Sequence, residues 1–207
     1  MIEVYSYDTG NGQRPRILLE ELGIPYRLHW VDLAKGAQRD PAYLALNPTG
    51  RIPTLVDPDG PGGERVVLTQ SLAMLTYLAD KAGRLIPSDP AGRTRTLEAM
   101  YVAATDVQPG IGAAFYLSYM ADEKMPDAGA AMLARSAANA RFLEDMLAER
   151  TYLAGEAYGI ADIAAFTVVA TLKRMGADLS GLPRLERWYG EVAARPAVQR
   201  GCAVPGA

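Results

Sequence analysis

Cysteine and histidine are almost absent from this chain of 207 residues, which holds one of each, Cys202 and His29. A single cysteine excludes an internal disulfide, a CxxC redox pair and a cysteine zinc site. A lone histidine cannot build a metal centre, so no metal is expected. His29, in YRLHWVDL, reads as a surface residue of an edge strand, and Cys202 as an inert residue near the end of the chain. No apolar run approaches the ~20 residues needed to span a bilayer. There is no excess of positive charge either: 21 basic residues stand against 24 acidic ones, a net charge of -3. Such a surface gains nothing from phosphate-backbone electrostatics, so nucleic acid is not an expected partner. No basic segment followed by an apolar core opens the sequence, so a signal peptide is not expected and the expected location is the cytoplasm. Internal repeats and low-complexity tracts are missing too.

What is present divides into two halves. Ile2 to Tyr7 alternates like a strand, and Arg14 to Leu22 places Ile17, Leu18 and Leu22 at helical spacing. Gly23 is a C-terminal cap followed by Pro25. Tyr26 to Leu33 reads as a second strand and Pro41 to Leu46 as a short helix. Thr54 to Val56 and Val66 to Leu68 form a hairpin around the turn-rich DPDGPGGE, and Ser71 caps a helix through about Ala82. This βαβ–α–ββα order predicts an α/β, thioredoxin-like domain with a mixed four-stranded sheet over residues 1–80. Residues 81–92 read as a linker. From 93 to 207 the β-branched alternation gives way to alanine, leucine, methionine and arginine at helical spacing, predicting an all-α domain. The methionines at 100, 120, 125, 132, 146 and 175 are expected mostly to fill its core.

Three stretches offer chemistry. In NPTGRIPTLVD, an X-Pro bond at Ile52–Pro53 that is cis turns the Ile52 backbone out of the sheet ladder toward an extended peptide-like ligand. The plain alternative is an ordinary strand start at Pro53. In LTQSLAMLTYLADKAG, Ser71 at a helix start, with Gln70 beside it, suits a carboxylate. Here the alternative is a serine that only caps its own helix. In YSYDTGNGQ, Thr9 and Asn11 stand between a strand and a helix, where a hydroxyl and an amide can face one small group; a simple turn is the default. Tyr5 and Tyr7 raise a rival, a tyrosine-type catalyst, although counting back from Gly23 puts the turn position on Thr9.

Taken in this order and spacing, and with LAGEAYGIADIAAF further on, these stretches resemble the cytosolic glutathione transferase family over nearly the whole chain. TGNGQRPRILLEELGIPY and VDLAKGAQRDPAYLALNPTGRIP are most similar to its Nu class and to the related yeast nitrogen-regulator group. Gly10 stands where those proteins have proline. Gly159 stands where the family usually has Ser or Thr ahead of a buried aspartate, here Asp162, so half of a capping box is expected to be missing. The resemblance implies glutathione as cosubstrate. Thr9 and Asn11 would face its sulfur, Ile52, before a cis Pro53, would pair with the cysteinyl backbone, and Gln70 and Ser71 would hold the γ-glutamyl carboxylate. Gln38 and Arg51 would reach the glycyl end, and Asp106 would extend across a homodimer to the glutathione amine.

The class resemblance favours glutathione-dependent disulfide reduction. Conjugation to an electrophile or reduction of an organic peroxide is the alternative, and a non-catalytic glutathione-binding regulator the third reading. The second substrate is a small electrophile or disulfide, whose pocket Tyr101, Phe115, Tyr116 and Tyr119 are expected to help line. The dimer interface is expected to use the helix after Ser71 and the helix around Glu98 to Thr105, with Ala99, Ala103 and Ala104 allowing close approach and Arg93 and Arg95 at the rim.

Overall fold

The computed structural model describes residues 1–204 and divides into two compact units. The first comprises Met1–Arg84 together with the described residues from Ala194 on, and the second Leu85–Ala193.

In the first unit, β1 (Ile2–Ser6), β2 (Tyr26–Trp30), β3 (Thr54–Asp57) and β4 (Val66–Leu68) form a sheet of order β2-β1-β3-β4. β1 runs parallel to β2 in the register Val4↔Leu28, while β1–β3 and β3–β4 are antiparallel, through Val4↔Leu55 and Val56↔Val67. This is the mixed four-stranded sheet predicted. β1 alternates strictly, with Ile2, Val4 and Ser6 buried, as a strand covered more fully on one face must. α1 (Gly10–Leu22) and α3 (Ser71–Ala82) pack against each other and bury Ile17, Leu18, Met74, Leu75 and Leu78 completely. The short α2 is Pro41–Leu44.

α1 begins four residues before the predicted Arg14, because the Thr9 hydroxyl accepts the Gly12 N–H (3.1 Å) and opens the helix there; Pro15 consequently lies inside it. Glycine is required at position 12. A Cβ would stand 2.3 Å from the Tyr7 carbonyl oxygen and 2.7 Å from Ser6 Oγ, so any side chain would force the helix off the strand end.

The second unit contains α4 (Pro90–Tyr101), α5 (Gln108–Phe115), α6 (Pro126–Asn139), α7 (Arg141–Met146), α8 (Ile160–Arg174) and α9 (Pro183–Ala193). α4 packs on α8 and α5 on α6. π-helical turns at Val102–Val107 and Tyr116–Met120 continue α4 and α5, which residue spacing did not predict. α8 is anchored by Asp162, which is fully buried. Its carboxylate accepts the Gly159 N–H at 2.9 Å, the Leu153 N–H at 3.1 Å and Trp188 Nε1 at 2.8 Å. Burial pushes this carboxyl above the usual range, and the three N–H groups act against that shift. At Gly159 only the aspartate half of the capping box exists, as expected. The structure supplies the reason: a Cβ there would press within 2.8 Å of the Leu85 carbonyl oxygen, which itself accepts the Ile160 N–H at 2.9 Å.

Three expectations need correction. The helical domain does not keep its C-terminal helix: α10 (Pro196–Cys202) packs on α1 and belongs to the first unit. Of the six methionines assigned to the helical core only Met100 is buried, and Met120 and Met125 are exposed. Ala99 and Ala103 are fully buried among their own helices, which leaves them unable to line an interface with a second chain.

α10 is held by a two-point ion pair of Arg195 with Glu21 (2.6 and 2.9 Å) and by Arg200 with Glu20 (2.7 Å). Beneath them Gly201 meets the helix backbone, where a Cβ would fall 2.5 Å from Ile17 Cα and 2.6 Å from Ile17 N. Backbone cannot rotate away as a side-chain tip can, so Gly201→Ala must lift α10 from α1. The expected cost is about 1–3 kcal/mol, read as a lower urea midpoint. An unchanged midpoint would show that α10 contributes nothing to the stability of its unit.

Candidate functional site

The predicted groups of the first unit lie at two helix starts, which Arg14 joins, and on one loop. At the start of α1, Thr9 is the N-cap, and Gln13 Nε2 donates to Asp8 Oδ1 (2.8 Å), tying the helix to the turn before it. The Thr9 hydroxyl has one proton and two lone pairs. Its oxygen accepts from Gly12, so its proton points elsewhere. Asn11, half-buried, is the second residue of the helix.

At the start of α3 the expectation is corrected in detail. The N-cap position is held by Gln70, not Ser71, and no side chain caps the helix. Ser71 is the first helical residue and is 7% exposed, while Gln70 is exposed. The first-turn N–H groups of such a helix and its dipole favour an anion.

These two helix starts are linked by a residue that the sequence reading passed over. Arg14 is 2% exposed, and its Nη1 donates to Asn11 Oδ1 (2.7 Å) and to Ser71 Oγ (3.1 Å), bridging 57 positions of sequence. Burial lowers its pKa to about 10, so it remains a cation at neutral pH. The signal for it was present: Arg14 stands three and four residues before the buried Ile17 and Leu18, on the apolar stripe of α1.

The loop before β3 contains the Ile52–Pro53 bond, which is cis. Ile52 lies just outside the β3 ladder, which starts at Thr54. Two buried side chains position this loop, and neither was singled out from sequence. Tyr43 Oη and Asn47 Nδ2 both donate to the Arg51 carbonyl oxygen at 2.6 Å, and Tyr43 Oη also meets Thr54 Oγ1 at 2.9 Å. The Arg51 side chain is exposed. Gln38 sits in the 3-10 turn Ala37–Arg39, whose carbonyl at Gln38 approaches Gly50 of the same loop. Gln38 Oε1 is buried with no hydrogen-bond partner among the described residues, an acceptor at a cost unless a donor reaches it.

Asp106 is not part of this assembly within the first unit. It is exposed on the π-helical turn of the second unit, with Thr105 Oγ1 3.3 Å from its carboxylate. Tyr101, Phe115, Tyr116 and Tyr119 are all exposed in that unit, with the Phe115 and Tyr119 rings 5.4 Å apart.

The tyrosine alternative finds little support. Tyr5 donates its hydroxyl to Glu3 (3.1 Å) and stacks on His29 at 4.3 Å. Burial, and then Glu3, push its pKa up, so the hydroxyl stays protonated. Tyr7 leans on Trp30 at 5.0 Å. His29, on the edge strand β2, is not idle surface, since its Nε2 lies 2.8 Å from Glu3. Among the described residues no cluster of three or more His, Cys, Asp or Glu is placed to hold a metal ion, and no helix is long and apolar enough to cross a membrane.

Comparison with known proteins places the chain in a family. The family model of the glutathione S-transferase N-terminal domain matches residues 11–81, and that of the C-terminal domain residues 107–196. The disulfide-bond oxidoreductase YfcG of Escherichia coli (strain K12) is 33% identical over 198 residues, 95% of this chain and 92% of the relative. A glutathione transferase of Burkholderia graminis, solved with two glutathione molecules per subunit, aligns with a TM-score of 0.92 at 34% identity, covering 99% of this chain and 88% of that one. One from Pseudomonas putida, with one glutathione disulfide per subunit, aligns with a TM-score of 0.90 at 32% identity, covering 99% and 92%. The chain belongs to the glutathione S-transferase family.

Proposed function

We propose that this protein reduces disulfide bonds with glutathione as both ligand and reductant. The observation that carries the reading is a set of donors grouped at two helix starts, Thr9, Asn11 and Ser71, with no protein thiol among them. Cys202 follows Gly201, which packs on Ile17, eight residues along α1 from Thr9 and roughly 12 Å away at 1.5 Å per residue. The sulfur chemistry therefore belongs to the ligand. The relatives support the choice, since one is a disulfide-bond oxidoreductase and others hold two glutathiones or one glutathione disulfide.

In this reading the thiolate of one glutathione attacks a sulfur of the substrate disulfide. The S–S bond breaks, and its electron pair leaves on the other sulfur, which takes up a proton. A second glutathione thiolate attacks the mixed disulfide and releases the remaining substrate thiol, leaving glutathione disulfide. Thr9 and Asn11 hydrogen-bond the thiolate. Gln70 and Ser71 hold the γ-glutamyl carboxylate at the α3 start, the Ile52 backbone pairs with the cysteinyl unit, and Gln38 and Arg51 meet the glycyl end. A free thiol of pKa ~8.5 is only about 3% ionised at pH 7, and a two-unit decrease makes it mostly thiolate. Nucleophilicity falls with pKa at a Brønsted slope of ~0.4–0.5, so the net gain from ionisation is only a few-fold. Holding the two sulfurs together supplies the larger share of the acceleration.

The proposed location is the cytoplasm, where glutathione is kept reduced. The proposed assembly is an isologous homodimer in which Asp106 reaches the glutathione amine of the other chain.

Calorimetry with reduced and oxidised glutathione is expected to show binding; no heat at millimolar concentrations of either removes the reading. Thr9→Ala and Asn11→Ala should lower kcat in the reduction of hydroxyethyl disulfide more than they weaken glutathione binding, whereas Cys202→Ser should keep essentially full activity. Turnover of an aromatic chloride without disulfide reduction would make the protein a conjugating enzyme instead. Light scattering should give twice the 22.2 kDa chain mass, and Asp106→Ala should weaken glutathione binding. A monomer, or unchanged affinity in that variant, takes Asp106 out of the site.

A further inference from the structure

Arg14 binds one oxygen at each of the two helix starts, and this decides what each start can offer a ligand. An amide side chain has a donor end and an acceptor end, and which of them serves the ligand depends on what holds the other. Arg14 Nη1 donates to Asn11 Oδ1 at 2.7 Å. Guanidinium has no acceptor, so this contact admits only the carbonyl end of the amide. The end of Asn11 suited to serve a ligand is then Nδ2, a donor. Arg14 Nη1 donates also to Ser71 Oγ, at 3.1 Å. A hydroxyl proton cannot point at an incoming N–H, so the Ser71 O–H is turned to donate elsewhere. At Thr9 the Gly12 N–H has the same effect.

Both oxygens bound by Arg14 belong to residues that the proposed function assigns to anionic parts of one ligand, the thiolate and the γ-glutamyl carboxylate. Resting on that reading, we infer that Arg14 is a positioning residue that fixes Asn11 and Ser71 as hydrogen-bond donors, and so couples thiolate stabilisation at the α1 start to carboxylate binding at the α3 start. Its charge acts in the same direction. At 2% exposure the guanidinium is screened little by water, and it remains a cation at neutral pH. Two anionic groups of the ligand are therefore favoured by one buried cation acting through Asn11 and Ser71.

The test combines Arg14→Met, Arg14→Lys and Asn11→Ala with two readouts: glutathione affinity by calorimetry, and the pKa of the bound thiol from its thiolate ultraviolet absorbance against pH. Arg14→Met should weaken affinity on the order of tenfold and raise the bound thiol pKa by roughly one unit. Arg14→Lys should fall between, because an ammonium donates to the same oxygens without the planar fork. Asn11→Ala and Arg14→Met should be non-additive in thiol pKa, since each removes the same oriented donor. Gly201→Ala, which lowers stability where α10 packs on Ile17 and takes no part in the hydrogen bonds that join Arg14 to Asn11 and Ser71, should leave the thiol pKa unchanged and so separates positioning from loss of fold. Wild-type affinity and thiol pKa in Arg14→Met, or strictly additive effects with Asn11→Ala, would overturn the inference while leaving the glutathione reading intact. Failure of the unaltered chain to bind glutathione would overturn both.

Discussion

The first turn of α1 lies directly on the end of β1, so close that no side chain fits at position 12. That approach places the polar groups at the start of α1. Ser6 Oγ donates to the Gly12 carbonyl at 2.9 Å and locks the strand end to the helix. Thr9 caps the turn, Asn11 follows within it, and Arg14 is drawn under the first turn to reach α3. A helix that started later, or stood off by the width of one methyl group, would separate these groups by more than a hydrogen bond tolerates.

The interior of the first unit buries several polar side chains, among them Ser6, Arg16, Asn47, Thr54 and Asp57, and Arg14 is the one that ties the starts of α1 and α3. Arg14, 2% exposed, runs between two helix starts whose own N–H groups already favour anions. A cation at the positive end of two helices is the wrong sign for helix stability, and its burial costs free energy besides. Such an arrangement makes sense as preorganisation for negative charge, held in place by the packing of α1 and α3. The loop at Ile52 is held by Tyr43 and Asn47, which converge on a single carbonyl oxygen at 2.6 Å. The two helix starts and the loop thus each rest on buried partners.

Much of this was legible in the residues. β4 spans Val66–Leu68 as alternation and turn chemistry predict, and α3 ends at Ala82 as expected, whereas the cis bond at Pro53 was implied by the family resemblance, the residues alone leaving an ordinary strand start open. The start of α1 was not legible, because Pro15 reads as a helix opener and hides the Thr9 cap, whose strength depends on how the turn folds back on Tyr7. Ser71 as an N-cap failed for a related reason: Gln70 takes the extended conformation of the cap, and one residue of offset changes which groups are open to a ligand. The two π-helical turns left no mark in the spacing, since an extra residue in a helical turn shifts the apolar stripe by less than the scatter of an alanine-rich sequence.

By itself the sequence determined the order of strands and helices, the family, and the absence of a thiol from the start of α1, because these depend on residue types and on contacts between near neighbours in the chain. Only the tertiary structure decided that α10 returns to α1, that Ala99 and Ala103 lie inside rather than at an edge, and that Arg14 joins Asn11 to Ser71. Each of these joins segments tens to hundreds of residues apart. Helical periodicity records that a face is buried, but not which surface buries it.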